Sequence, residues 1–154
     1  MDAMIVRPDD LVGDLVNLDL SMIVIKLMDP EEGQGWSEVY TRRVDVEYRR
    51  FLALTRAYPD RAIVPSKIVD AFWHAHILDT QAYAPDCDQF LGFFLHHFPY
   101  FGMRGPEDAR ALGDAYDDTL ALYGQHFGEA PADLWARTGA ARCPNCGVRC
   151  KKPS

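Results

Sequence analysis

Four of the five histidines fall in two tight pairs, His74/His76 and His96/His97. Imidazole is a common ligand for zinc, copper, iron and nickel, and it serves as a general base near neutral pH. Asp70 stands four residues before His74, so on a helix the two share a face. That pair is either two ligands of one ion or a carboxylate orienting an imidazole. His76 and Asp79 form a similar pair at a spacing of three. Residues two apart on an α-helix point about 200° apart, so His74 and His76 face nearly opposite sides. His96 and His97 differ by about 100°, which lets one point inward while the other packs elsewhere. The candidate ligands are therefore Asp70, His74, His76, His96 and His97. Asp70 with His74 is the better pair for a site shared with a His96/His97 helix, and His76 is expected to look elsewhere. The bland alternative makes all four histidines hydrogen-bonded members of an aromatic core beside Trp73, Phe93 and Phe94. Neither an H-E-x-x-H zinc-hydrolase signature nor a Glu-x-x-His di-iron pattern is present.

A second group of donors stands near the C-terminus. Cys143-Pro144-Asn145-Cys146-Gly147 has the shape of a zinc-ribbon knuckle, and Cys150 adds a third thiol. A complete ribbon needs a second Cys-x-x-Cys. The fourth ligand would come from Cys87, a histidine, water or another chain. Arg142, Arg149, Lys151 and Lys152 flank these thiols and favour the thiolate. Zinc binding, an iron–sulfur cluster, a regulatory disulfide and a tail of spare thiols all remain open. The expected cofactor is a divalent metal ion, zinc first.

Helices must position these groups. Asp9 and Asp10 cap a first one, with Leu11, Leu15, Leu18, Met22 and Ile25 as its apolar stripe. Ser37 or Trp36 opens a second that runs to Tyr58 before Pro59, with Arg42, Arg43, Arg49, Arg50 and Arg56 on a solvated face. Ser66 caps a third that carries His74 and His76 and ends near Tyr83-Ala84-Pro85. Asp86 caps a fourth that carries Cys87, His96 and His97, closed by Pro99. A short turn between them makes these two helices close, antiparallel neighbours. Pro106 and Glu107 begin a fifth that runs to His126, with Ala111, Ala115, Tyr116, Leu120 and Tyr123 inward. Pro131 starts a last turn that holds Leu134 and Trp135. The fold class is all-α: an irregular bundle of five or six helices, with a short cysteine-rich tail. Residues 1–138 form the helical domain and 139–154 the basic tail.

The run from Val64 through Trp73-His74-Ala75-His76, Asp79 and Tyr83 resembles the central motif of the glycine-rich-domain-containing-protein-like family. So do Asp86-Cys87 and Leu95-His96-His97-Phe98-Pro99-Tyr100-Phe101-Gly102. The resemblance is strongest from Pro65 to Gly102 and brings no settled activity with it. It implies that Asp70, Trp73, His74, His76, Asp79, Tyr83, Cys87, His96 and His97 are the positions that matter. Larger plant members add glycine-rich regions; this chain has 11 glycines and no such tract.

Composition sets the remaining bounds. The chain has 154 residues and a net charge of −7, with all 23 acidic residues before Leu134 and a basic tail after it. An acidic body repels a phosphate backbone, so nucleic-acid binding is disfavoured. No apolar run reaches the ~18–20 residues of a membrane span, and the N-terminus has no signal-peptide core. The expected setting is the cytoplasm, where cysteines stay reduced or bind metal. Two functions compete: a metal-binding helical protein, extending to a metal-dependent enzyme, or a non-catalytic module for a small molecule, peptide or protein partner.

Overall fold

A computed structural model describes residues 10–136, and the Cys143, Cys146 and Cys150 motif lies outside them. Among the described residues there are five α-helices and no strand: α1 Ser21–Met28, α2 Glu38–Ala57, α3 Lys67–Leu78, α4 Thr80–Asp86 and α5 Pro106–Phe127. The all-α reading therefore holds.

The second helix is the hub. Ser37 caps it by accepting the Tyr40 amide at 3.1 Å, Glu38 lies in its first turn, and Pro59 follows its end. Val44, Tyr48, Phe51, Leu52 and Leu54 are buried along it. It packs against α1, α3 and α5. Of the five arginines expected on its solvated face, Arg42 and Arg43 are exposed, whereas Arg49, Arg50 and Arg56 are half-buried, and all five make ion pairs or hydrogen bonds. Arg49 donates to the carbonyls of Leu15 and Leu18 at 2.6 and 2.7 Å, and Arg56 donates to those of Val12 and Phe90 at 3.0 Å each. Arg50 donates to the Tyr123 hydroxyl at 2.7 Å, and Arg43 reaches Asp133 at 2.7 Å. The N-terminal segment turns back across α2, and its free carbonyls need donors.

That segment is not one long helix. A 3-10 turn at Gly13–Asn17 ends before Leu18, and α1 restarts at Ser21. Gly13 takes a positive φ of 52°, and Asp19 accepts both the amide and the hydroxyl of Ser21. This break rotates the apolar stripe. Met22 and Ile25 are exposed, whereas Ile23, Val24 and Leu27 face the core.

In α5, Pro106 occupies the first turn, and Leu112, Tyr116, Thr119, Leu122, Tyr123 and Phe127 are buried. Ala115, Tyr116, Leu120 and Tyr123 face inward as expected, and only Ala111 of the expected inner face is exposed. Thr119 accepts the Val64 amide at 2.9 Å, which ties the segment before α3 to this helix. Buried Glu47 accepts from Tyr123 at 2.6 Å and Trp135 at 2.9 Å, joining α2, α5 and the last turn.

Candidate metal centre

Asp70, His74 and His97 converge. Ser66 caps α3 by accepting the Val69 amide at 3.1 Å, and this fixes where the helix begins. One turn further, Asp70 and His74 share a face, with the carboxylate 1% exposed. His97 arrives from a different segment. Its Nε2 lies 2.9 Å from His74 Nε2 and 2.9 Å from Asp70 Oδ1, while Asp70 Oδ2 is 3.3 Å from His74 Nε2.

His97 is not helical, which corrects the expected fourth helix. Asp86 does not cap one: its carboxylate meets His76 Nε2 at 2.9 Å instead. Pro85 stays inside α4, and the chain continues through a π turn at Cys87–Leu91. Gly92 then takes a positive φ of 83° and ends the helical path. Residues 93–98 run back as irregular chain over α3. Tyr83 holds them there by donating to the Leu95 carbonyl. The same hydroxyl accepts Trp73 Nε1 at 2.9 Å, and the Trp73 ring lies 4.4 Å from that of His97.

Hydrogen bonding alone leaves this cluster incomplete. His97 Nε2 has at most one proton to offer and two neighbours at 2.9 Å. Asp70 Oδ2 is buried and accepts no hydrogen bond. Its contact with His74 is close enough for an ion pair but lacks hydrogen-bond geometry. A buried carboxylate oxygen with no donor is costly. The donor set fits a cation: its separations of 2.9, 2.9 and 3.3 Å approach the roughly 3.3 Å between ligands 2.0–2.1 Å from a tetrahedral zinc. Among the described residues, Asp70, His74 and His97 form a group that can hold a metal ion.

The other candidates lie apart from this group. His76 points to the opposite side of α3 and is 2% exposed. Its partner is Asp86 rather than Asp79, which ends α3 and gives its amide to the His76 carbonyl at 3.1 Å. A carboxylate only accepts, so Nε2 donates to Asp86 and Nδ1 accepts from the Tyr48 hydroxyl at 2.8 Å. Burial lowers the His76 pKa, against the opposing pull of Asp86. Both ring nitrogens are thus engaged, as in the core-histidine alternative. His96 is exposed and rests against Phe94, with ring centroids 4.7 Å apart. Cys87 is a buried free thiol.

Asp70 and His97 also line a cavity of about 240 Å³. Phe51, Trp73, Phe98, Phe101 and Leu112 supply apolar wall, and Arg61 and His96 line it too. Arg61 was not among the sequence candidates. It sits in a loop with no motif around it, and only the folded chain brings it to the cavity.

Fold and donors together define an all-helical protein with a His/Asp cluster, suited to a metal ion, beside a cavity. Residues 26–113 match the model of the UCP032817-like family, and the chain belongs to that family. This corrects the resemblance to glycine-rich-domain-containing proteins: the Trp-His-x-His and His-His motifs that suggested it lie inside the matched stretch. No curated protein and no solved structure matches the chain.

Proposed function

We propose that this is a metal-binding protein that holds zinc through Asp70, His74 and His97, with an open ligand position serving the adjacent cavity. The observation that supports it best is the convergence of three donors from two segments around a buried carboxylate oxygen that lacks a hydrogen bond. The three stand as one triangular face with no trans pair, which suits tetrahedral zinc better than square-planar copper. A nitrogen-rich site also holds zinc more tightly than ferrous iron. Three protein ligands are the mark of sites that keep a position open, so the reading extends to metal-dependent catalysis. There the ion would act as a Lewis acid on an oxygen of the bound molecule. Trp73, packed against His97 with its ring tilted by 45°, would fix that imidazole and shield it from water. A cytoplasmic setting belongs to the same reading, since it keeps thiols reduced.

Elemental analysis of the full chain tests this, in a background where Cys143, Cys146 and Cys150 are all replaced by serine. We expect about one zinc per chain, lost in Asp70→Asn and in a His74→Ala/His97→Ala double variant. A serine background that takes up no zinc sinks the reading. The second reading is a non-catalytic module for a peptide or protein. It draws on exposed Phe94, Phe98, Tyr100 and Met103, and it predicts capture that survives chelation.

A further inference from the structure

The cavity beside the cluster has a composition that selects a ligand class. Five aromatic rings line it, from Phe51, Trp73, Phe93, Phe98 and Phe101. At about 240 Å³ it exceeds the roughly 150 Å³ apolar cavity that suffices for benzene, so a substituted ring fits. Its charged lining is lopsided. Asp70 is the one carboxylate there, and it faces His74 and His97. Arg61 is the one arginine, and no ion pair joins it to a carboxylate among the described residues. Arg61 is exposed at the cavity's edge, with its guanidinium over the Tyr58 ring, 5.6 Å from the centroid, and Tyr58 is itself bonded to His126 at 2.7 Å. A planar guanidinium is the group that grips a carboxylate with two parallel hydrogen bonds. Thr55, the remaining hydroxyl in the wall, already donates to the Phe51 carbonyl at 3.0 Å.

We propose that the cavity binds a small aromatic monocarboxylate, its ring among the aromatic walls and its carboxylate on Arg61. A cationic ligand would meet Arg61 with only Asp70 to balance it, and a purely apolar one would leave the guanidinium unused. The proposal rests on the metal reading only for what the ligand does next at the ion; the ring and carboxylate contacts need no metal.

Phenylacetate is the probe, titrated by calorimetry into the full chain with and without zinc, alongside acetate and 2-phenylethanol. Phenylacetate is expected to bind about tenfold or more tighter than either comparator, because each lacks one of the two contacts. Arg61→Ala should bring phenylacetate down to the level of 2-phenylethanol while zinc content and 2-phenylethanol binding stay as they were. Arg61→Lys should recover part of the loss. Equal binding of phenylacetate and 2-phenylethanol, or an Arg61→Ala chain that binds phenylacetate unchanged, overturns the carboxylate class. Acetate binding as tightly as phenylacetate overturns the ring. Arg61-dependent binding in a chain that takes up no zinc supports this site and sinks the metal reading. Zinc uptake with no phenylacetate binding does the reverse.

Discussion

The hydroxyl of Tyr83 accepts from Trp73 Nε1 and donates to the Leu95 carbonyl, two residues before His97. One oxygen thus fixes both the ring that packs against His97 and the chain that carries it. Tyr83→Phe keeps the ring against His76 but leaves the indole N–H and the carbonyl without that partner. We expect a stability loss of about 1–3 kcal/mol by denaturant titration. We also expect zinc affinity to fall about tenfold in competition with a chelator, as when the outer partners of ligands are removed. Unchanged affinity would show that His97 is held without Tyr83. At this scale the sequence was partly legible. The four-residue spacing of Asp70 and His74 gave their shared face, and the two-residue spacing gave the opposed direction of His76. The partner of His76 was not legible, because Asp79 is nearer in sequence, yet α3 ends there and Asp86 is brought round by α4.

Three element starts were legible from a cap or a proline, whereas Pro85 and Asp86 marked a boundary that the fold does not make there. Ser37, Ser66 and Pro106 begin α2, α3 and α5 as read. Breaks that depend on backbone conformation were not legible. Gly13 and Gly92 look like any glycines in an apolar stretch, but each takes a positive φ, Gly13 where the 3-10 turn begins and Gly92 where the helical run ends. Gly92 leaves room for a Cβ within 4 Å, so Gly92→Ala is strained by its φ alone. We expect it to cost about 1–2 kcal/mol. It should also weaken zinc binding, since the chain downstream carries His97. Gly124 supplies the control. It lies inside α5 with ordinary φ and nothing within 4 Å of an added Cβ. Gly124→Ala should stabilise the fold by about 0.4–1 kcal/mol and leave zinc affinity alone. Equal effects from the two alanines in thermal and chelator titrations would remove the case for Gly92 as the turning point.

For the molecule as a whole, aromatic hydroxyls bind the layers together, and their burial gives stability a pH dependence. Burial raises the pKa of Tyr48, Tyr83, Tyr116 and Tyr123, and Glu47 raises that of Tyr123 further. An unfolded chain releases tyrosine protons near pH 10, before the folded chain does. Their contribution is therefore intact below about pH 10 and is lost as pH climbs toward the folded values. Lysine, arginine and cysteine also respond to alkali, so a single curve does not isolate the tyrosines. A difference between two chains does. Tyr116 donates to the Ala136 carbonyl at 2.6 Å and is 1% exposed. Tyr116→Phe should cost about 1 kcal/mol at neutral pH through the lost hydrogen bond. Urea midpoints taken from pH 7 to about pH 11 should then show the gap between native and variant chains narrowing above about pH 10. The native chain alone still has that proton to lose on unfolding. A gap that stays constant across the range would mean that Tyr116 keeps an ordinary pKa in the folded chain.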